Sequence, residues 1–328
     1  MTPAIAILDD YQKVALASAD WSGLRARAAL HAFHDPWPDE DALAKALEPF
    51  EIVVLMRERT PFPASLIARL PNLRLIALTG TRTGTIDIAA CSRRGIAISH
   101  TTANPSTAAA ELAFGLVIAC ARGLPQAFAG MAGGHWQGGL PMGMPLAGRR
   151  LGILGLGHLG REVARMGQAF RMDVVAWSEN LTDAVAASHG VRRVEKAALF
   201  ATSDVVSLHL ALSARTRQVV GREELAAMKQ GAILVNTARA GLVDSQALLD
   251  MLQAGRITAG LDVFDTEPLP AEHPLRGMPN AVLTPHLGYV VDDVFAYYYR
   301  DIVENIHAYL DGHPIRVLNP EALQTPRR

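Results

Sequence analysis

The chain has 328 residues, 50% of them hydrophobic and 19% charged, with a formal net charge of −1. That is enough apolar mass for about two domains, and too balanced a charge to favour nucleic acid or an anionic membrane. Its only cysteines, Cys91 and Cys120, form neither a CxxC pair nor a disulfide framework, which fits a reducing, cytoplasmic setting.

The opening "MTPAIAILDD" reads as a strand rather than a targeting peptide, because it lacks a basic segment and soon meets two acids. Asp9 and Asp10 are expected to be solvated at the strand end. The runs "AIAILDD", "EIVVLM", "LRLIALT" and "GIAIS" alternate with amphipathic segments such as "PASLIARL" and "DIAACSRR". Apolar runs without alternation fit parallel strands covered on both faces, so residues 1–100 read as a doubly wound α/β unit. In "NPSTAAAELAFGLVIACARG", Asn104, Pro105, Ser106 and Thr107 give start signals and Gly123 a stop signal for a long apolar helix. Its apolar stretch is short for a membrane span and contains Glu111, so a buried helix is expected. The Gly- and Pro-rich "AGGHWQGGLPMGMPLAGRR" reads as a surface loop.

A second α/β series begins at Leu151. Its expected strands are "LGIL", "DVVAW", "VVSLHL", "AILVNTA", "TAGLDVF" and "AVLTP", with helical patterns between most of them. The tail "DDVFAYYYRDIVENIHAYLDG" reads as a long helix packing back on the first unit; its aromatics fit packing or a dimer contact. This organisation predicts a substrate domain of residues 1–103 and 290–328, interrupted by a dinucleotide-binding domain at 104–289. Hinges are expected near Ala103–Asn104 and Gly288–Val290.

"LGILGLGHLGREVARMGQAF" places Gly155-x-Gly157-x-x-Gly160 between a strand and a helix. Gly155 allows the tight turn, Gly157 lets backbone approach a pyrophosphate at the helix N-terminus, and Gly160 allows close helix–sheet packing. The motif alone is weak; its strand and helix flanks make it specific. The next strand ends in "VVAWSEN", where Glu179 is the nearest acid for a ribose. Asp173 reads as a turn residue before that strand, and Arg192 and Arg193 as exposed residues after a turn.

Three later segments each place polar chemistry beyond an apolar strand. "LVNTARAGLVD" presents Arg239, "GLDVFDTEPLP" presents Asp262, Asp265 and Glu267, and "VLTPHLGY" presents His286. Ligands of open α/β sheets gather at the carboxyl ends of strands, so these groups are expected to converge. A guanidinium can clamp a carboxylate, an imidazole can move a proton near neutral pH, and a carboxylate can orient that imidazole. Singly, the same residues read as a surface ion-pair arginine, a turn glutamate and a loop-closing histidine. Together with a nicotinamide they point to hydride transfer at C2 of a 2-hydroxy or 2-oxo acid.

These segments, with "GRRLGILGLGHLGREVA" and "AAELAFGLVIACAR", resemble in order the signatures of the D-isomer-specific 2-hydroxyacid dehydrogenase family. The resemblance covers almost the whole chain. It implies a Rossmann NAD-binding domain inserted into a flavodoxin-like substrate domain, a cleft between the domains, and a homodimer. It implies Arg239 as substrate clamp, His286 as acid/base and Glu267 as its partner. Substrate contacts are expected from Gly80, Thr81 and Arg82. Cofactor contacts are expected from Thr107, Gly155, Gly157, His158, Leu159, Gly160, Ser178, Glu179, Leu210, Thr237, Ala238, Arg239, Asp262, His286 and Gly288.

The chain departs from the pattern at Ala240, where the family commonly has glycine, and in the loop "TGTRTGTID", where Arg82 replaces a small residue. Ser178 stands where many NAD-dependent members carry aspartate. NAD is the expected cofactor, with NADP open. The sequence ends before the extra C-terminal domain of some phosphoglycerate dehydrogenases. His100, His135, His158, His209 and His273 lack metal-ligand spacing, so no metal is expected. The competing readings are a formate- or phosphite-type dehydrogenase and a non-enzymatic NAD(H)-sensing corepressor; retention of Arg239, Glu267 and His286 argues against the latter.

Overall fold

The computed structural model describes residues 2–102 and 106–324. The crossing expected at Ala103–Asn104 lies outside them. The chain divides into two units, Met1–Pro105 with Val291–Arg328, and Ser106–Val290.

The first unit opens with β1 (Ala4–Ile7), α1 (Ser22–Arg25), β2 (Ala29–Ala32), α2 (Glu40–Leu47), β3 (Ile52–Leu55), α3 (Ala64–Ala68), β4 (Leu75–Leu78), α4 (Ile88–Arg93) and β5 (Ala97–His100). Its five strands pair in parallel in the order β2-β1-β3-β4-β5, the flavodoxin-like arrangement. β3 and β4 are buried at every position because helices cover both faces. β2 escapes the sequence reading. It is an edge strand of alternating exposure, "ALHA", and lacks the apolar run that marks its neighbours.

The second unit contains α5 (Ala108–Arg122), α6 (Leu124–Ala132), β6 (Arg150–Leu154), α7 (His158–Ala169), β7 (Asp173–Trp177), α8 (Asp183–Ala187), β8 (Arg192–Arg193), α9 (Lys196–Thr202), β9 (Val205–Leu208), α10 (Arg222–Ala227), β10 (Ala232–Asn236), α11 (Ser245–Gln253), β11 (Ile257–Leu261) and β12 (Ala281–Leu283). Its seven parallel strands follow the order β12-β11-β10-β9-β6-β7-β8, the doubly wound order of a Rossmann domain with an added edge strand. Alternate residues of β10 enter opposite cores: Ile233 and Val235 pack with the α5–α7 side, and Ala232 and Leu234 with the α9–α11 side. α5 has the expected left-handed Gly123 cap and buries Ala110, Ala113, Phe114, Leu116 and Val117. Among the described residues no single helix is long and apolar enough to cross a membrane.

The chain then returns to the first unit as α12 (Asp292–Leu310), which packs on β4 and β5 and buries Phe295, Tyr298, Tyr299 and Ile302.

Three expectations need correction. Asp9 and Asp10 are not solvated: both are buried, because neighbouring groups replace water. Thr60 and Tyr11 hydroxyls donate to the Asp9 carboxylate, while the Val14 and Ala15 N–H groups donate to Asp10. Burial pushes the Asp9 carboxyl above its usual range despite Thr60, Arg59 and Tyr11. Asp173 begins β7 rather than preceding it, and pairs with Arg150 and Arg192. Arg192 and Arg193 form edge strand β8, whose two charged residues carry no apolar signal.

Candidate active site

The strand ends of the second unit lie in one row. The pairings Leu154↔Trp177, Leu154↔Leu208, Leu208↔Asn236, Leu261↔Asn236 and Leu261↔Leu283 are in register. The next residue of each strand therefore begins a loop on the same edge. Those loops carry Ser178, Gly155, His209, Thr237, Asp262 and Thr284. The sequence-predicted dinucleotide and catalytic residues thus share one carboxyl edge although they are far apart in the chain.

The glycine loop is shaped by close contacts. Gly155 has φ +104°, and a Cβ there would lie 2.9 Å from Leu210 Cδ2 and from the His209 carbonyl carbon. Its N–H donates to Trp177 O at 2.8 Å, tying the loop to the end of β7. At Gly160 a Cβ would fall 2.0 Å from Gly155 O, so α7 can approach the loop only without a side chain. Gly157 differs: nothing lies within 4 Å of its missing Cβ, and it caps the N-terminus of α7. Open space at a positive helix end, beside exposed His158 and half-buried Leu159, fits a pyrophosphate. After β7, Ser178 is half-buried and Glu179 exposed. Arg192 pairs with Asp173, and Arg193 with Glu195 at 3.0 Å.

Beyond β10, Thr237 and Ala238 lead to Arg239, which adopts an extended backbone before the 3-10 turn Ala240–Leu242. Its Nη1 donates to Ala238 O at 2.7 Å. Beyond β12, His286 Nδ1 lies 2.6 Å from Glu267 Oε2. The two side chains retain 31% and 32% accessibility, so the pair meets solvent at one edge. Glu267 Oε1 accepts from Phe264 N–H at 2.9 Å, which fixes the second oxygen. Burial raises the Glu267 carboxyl, but the His286 hydrogen bond and charge, the Phe264 N–H and the Arg239 charge together hold it below its usual range. The His286 ring meets Tyr289 edge-on at 5.6 Å.

His286 has φ +55°, a left-handed conformation costly for a residue with a Cβ, of order 1–3 kcal/mol. The surrounding loop is held by Asp262. Its Oδ1 accepts from Thr284 Oγ1 at 2.6 Å and Leu287 N at 2.7 Å, and its Oδ2 from Gly288 N at 2.9 Å. Burial pushes the Asp262 carboxyl up, opposed by these three donors and the His286 charge. Asp262 is fully buried and holds the 284–288 loop through these bonds. Gly288 packs against this carboxylate and against Ala109, two residues from Thr107 at the start of α5.

A second imidazole on this edge, His209, is held 2.8 Å from Ser207 Oγ and pushed by desolvation to about 4. It is neutral at physiological pH.

In the first unit, the predicted Gly80, Thr81 and Arg82 follow β4. Gly80 has φ +80°, and a Cβ there would lie 2.6 Å from Arg57 Nη1. Thr81 and Arg82 are exposed. The sequence reading missed Arg57 and Arg59, which follow β3 directly. Arg57 Nη1 donates to Tyr298 Oη at 3.0 Å, and Arg59 stacks 4.6 Å over the Tyr11 ring. The signal was present as "RERT" after an apolar strand, the same pattern that marked Arg239.

Comparison with known proteins follows this geometry. Residues 114–288 match the family model described as D-isomer specific 2-hydroxyacid dehydrogenase, NAD binding domain. The chain is 34% identical over 300 residues to a glyoxylate reductase from Aeropyrum pernix, covering 89% of each. It is 37% identical over 238 residues to a D-3-phosphoglycerate dehydrogenase from Methanocaldococcus jannaschii; that match covers 72% of this chain but 45% of the relative, about half its length. A crystal structure of a phosphoglycerate oxidoreductase from Vibrio cholerae superposes with a TM-score of 0.90 at 40% identity, covering 95% of this chain and all of that one.

Proposed function

The chain belongs to the D-isomer-specific 2-hydroxyacid dehydrogenase family, and from that premise we propose that it interconverts a small 2-oxo acid and the D-2-hydroxy acid. The observation that carries this reading is the 2.6 Å His286–Glu267 pair on the same sheet edge as Arg239 and the glycine loop.

The Gly155–Gly157–Gly160 loop would hold the pyrophosphate of NAD(H), with contacts from Thr107, His158, Leu159, Leu210, Thr237, Ala238 and Gly288; when bound, the nicotinamide would supply or accept the hydride at C2 of the acid. Arg239 clamps the substrate carboxylate through two parallel N–H···O bonds. Glu267 occupies His286 Nδ1 and leaves Nε2 to move the proton. In reduction Nε2 donates to the carbonyl oxygen; in oxidation it removes the hydroxyl proton. Within the first unit, Gly80, Thr81 and Arg82 are the proposed substrate-binding residues, with Arg57 beside Gly80.

The same reading favours NAD over NADP. Glu179 follows β7 and would repel a 2′-phosphate, while Arg192 and Arg193 are committed to Asp173 and Glu195. The test is initial rates with NADH and NADPH across glyoxylate, hydroxypyruvate, pyruvate, bulkier 2-oxo acids and phosphohydroxypyruvate. We expect turnover on at least one acid, with kcat/KM about tenfold higher for NADH, or roughly 1.4 kcal/mol. Higher kcat/KM with NADPH would overturn the cofactor reading, and no turnover of any 2-oxo acid alongside reduction of NAD+ by formate or phosphite in a parallel assay would overturn the substrate class.

A homodimer completes the proposal. α6 has no buried residue, and Phe128, Met131, Trp136 and Met142 are 58–98% exposed on it and the following loop. Apolar exposure of this extent fits a self-association surface. Sedimentation equilibrium should give a dimer that Trp136→Asp with Met142→Asp dissociates. A monomeric wild type at micromolar concentration would refute it.

A further inference from the structure

Asn236 ends β10 and is 2% accessible. Its side chain nevertheless governs the next three residues. Oδ1 accepts from the Ala238 N–H at 3.0 Å, and Nδ2 donates to the Arg239 carbonyl at 2.9 Å. One planar amide therefore folds Thr237–Arg239 back onto the strand end. The Asn236 backbone joins the other half of the site, because its carbonyl accepts from Asp262 N at 3.0 Å. Asp262 is the residue that holds the loop around His286.

The chemistry of this contact is demanding. One atom must accept and the other must donate, in one plane, at a buried position. A carboxylate would place an oxygen against the Arg239 carbonyl, and an aliphatic side chain would strand the Ala238 N–H and leave the Arg239 carbonyl with only the 3.3 Å Leu242 N–H. Arg239 itself leaves this turn in an extended conformation, φ −151° and ψ 140°, so its reach depends on where the turn is fixed.

We propose that Asn236 is a positioning residue for Arg239: its amide sets the backbone from which the guanidinium reaches the substrate carboxylate. The proposal rests on the reading of Arg239 as that clamp.

The test compares Asn236→Ala, Asn236→Asp, Arg239→Ala and the Asn236→Ala/Arg239→Ala double variant. The readouts are kcat/KM for the best 2-oxo acid, the inhibition constant of oxamate as an inert carboxylate analogue, and the NADH dissociation constant by fluorescence. Asn236→Ala should lower kcat/KM and weaken oxamate by on the order of tenfold to a hundredfold, the usual scale for a misplaced clamp. NADH binding should stay within about twofold. Asn236→Asp keeps the Ala238 contact, loses the Arg239 one, and should also weaken oxamate; being isosteric, it carries the test if the alanine variant does not fold. In the Arg239→Ala background, Asn236→Ala should cost less than about twofold further, because the group it positions is gone. Unchanged oxamate binding in folded Asn236 variants overturns the proposal. So does an equal loss with and without Arg239, which would mark a general structural role. If Arg239→Ala alone leaves oxamate binding unchanged, the clamp reading falls and this proposal falls with it.

Discussion

Glu267 illustrates how a single side chain sets the working state of its neighbour. Its carboxyl is held below the ordinary value of 4.5 by His286, the Phe264 N–H and Arg239 against the opposing effect of burial. A depressed carboxyl contributes stability that is present above its unfolded value and lost as pH falls through the folded one. The Glu267 carboxylate therefore supports the contact in its ionised form, and that support is lost as pH falls through its lowered value. A carboxylate hydrogen-bonded to one ring nitrogen favours the protonated form of an imidazole. Glu267→Gln removes that charge while keeping the side-chain shape. The high-pH limb of the reduction rate should then move to lower pH. A pH–rate profile superimposable on wild type would show that the pair does not tune the acid/base. The chemical identities of Arg239, Glu267 and His286 were legible from their places after apolar strands. The hold of Asp262 on the His286 loop was not: it shows only in its three accepted hydrogen bonds and its burial. Asn236 was hidden for the same reason, since an asparagine ending an apolar run looks like a turn residue.

At the scale of the element, the strand–glycine loop–α7 unit separates packing from binding. Gly160 permits close helix approach, whereas Gly157 faces open space. Gly160→Ala drives a methyl into the Gly155 carbonyl and should cost about 1–3 kcal/mol, lowering the melting temperature by several degrees and weakening NADH. Gly157→Ala meets no protein atom within 4 Å, and its backbone has φ −80°. It should keep the wild-type melting temperature while weakening NADH at least tenfold. Equal effects of the two variants on melting, or full NADH affinity in Gly157→Ala, would contradict the assignment. Elements were readable to the extent that burial was two-sided. β3, β4, β9 and β10 are fully buried and announced themselves as apolar runs. β2 and β8 sit at sheet edges, where one side needs no apolar residues, and their short polar sequences gave no signal. Asp9 and Asp10 misled because an acid at a strand end is ordinarily solvated; here Thr60, Tyr11 and two backbone N–H groups substitute for water.

For the whole molecule, the sequence conveys two α/β series in succession and a final helix with no strand of its own to cover. That arithmetic is why the interruption of one unit by the other was readable without coordinates. It also explains why the glycine motif lies near the middle of the chain. α12 packs on β4 and β5, so the chain must first finish the seven-stranded sheet before returning to the five-stranded one. The exposed apolar side chains of α6 and its loop were not legible as a surface, since composition alone cannot distinguish an apolar residue that is buried from one that is not. The central claim is that this chain moves a hydride to C2 of a 2-oxo acid with His286 supplying the proton. The most direct measurement is the stoichiometry and chirality of the product when the enzyme consumes NADH with its best 2-oxo acid, beside His286→Ala. The account predicts one D-2-hydroxy acid per NADH, with turnover reduced at least a hundredfold in the variant, in line with the loss of a positioned proton donor. An L-product, or a His286→Ala variant that turns over at the wild-type rate, would contradict it.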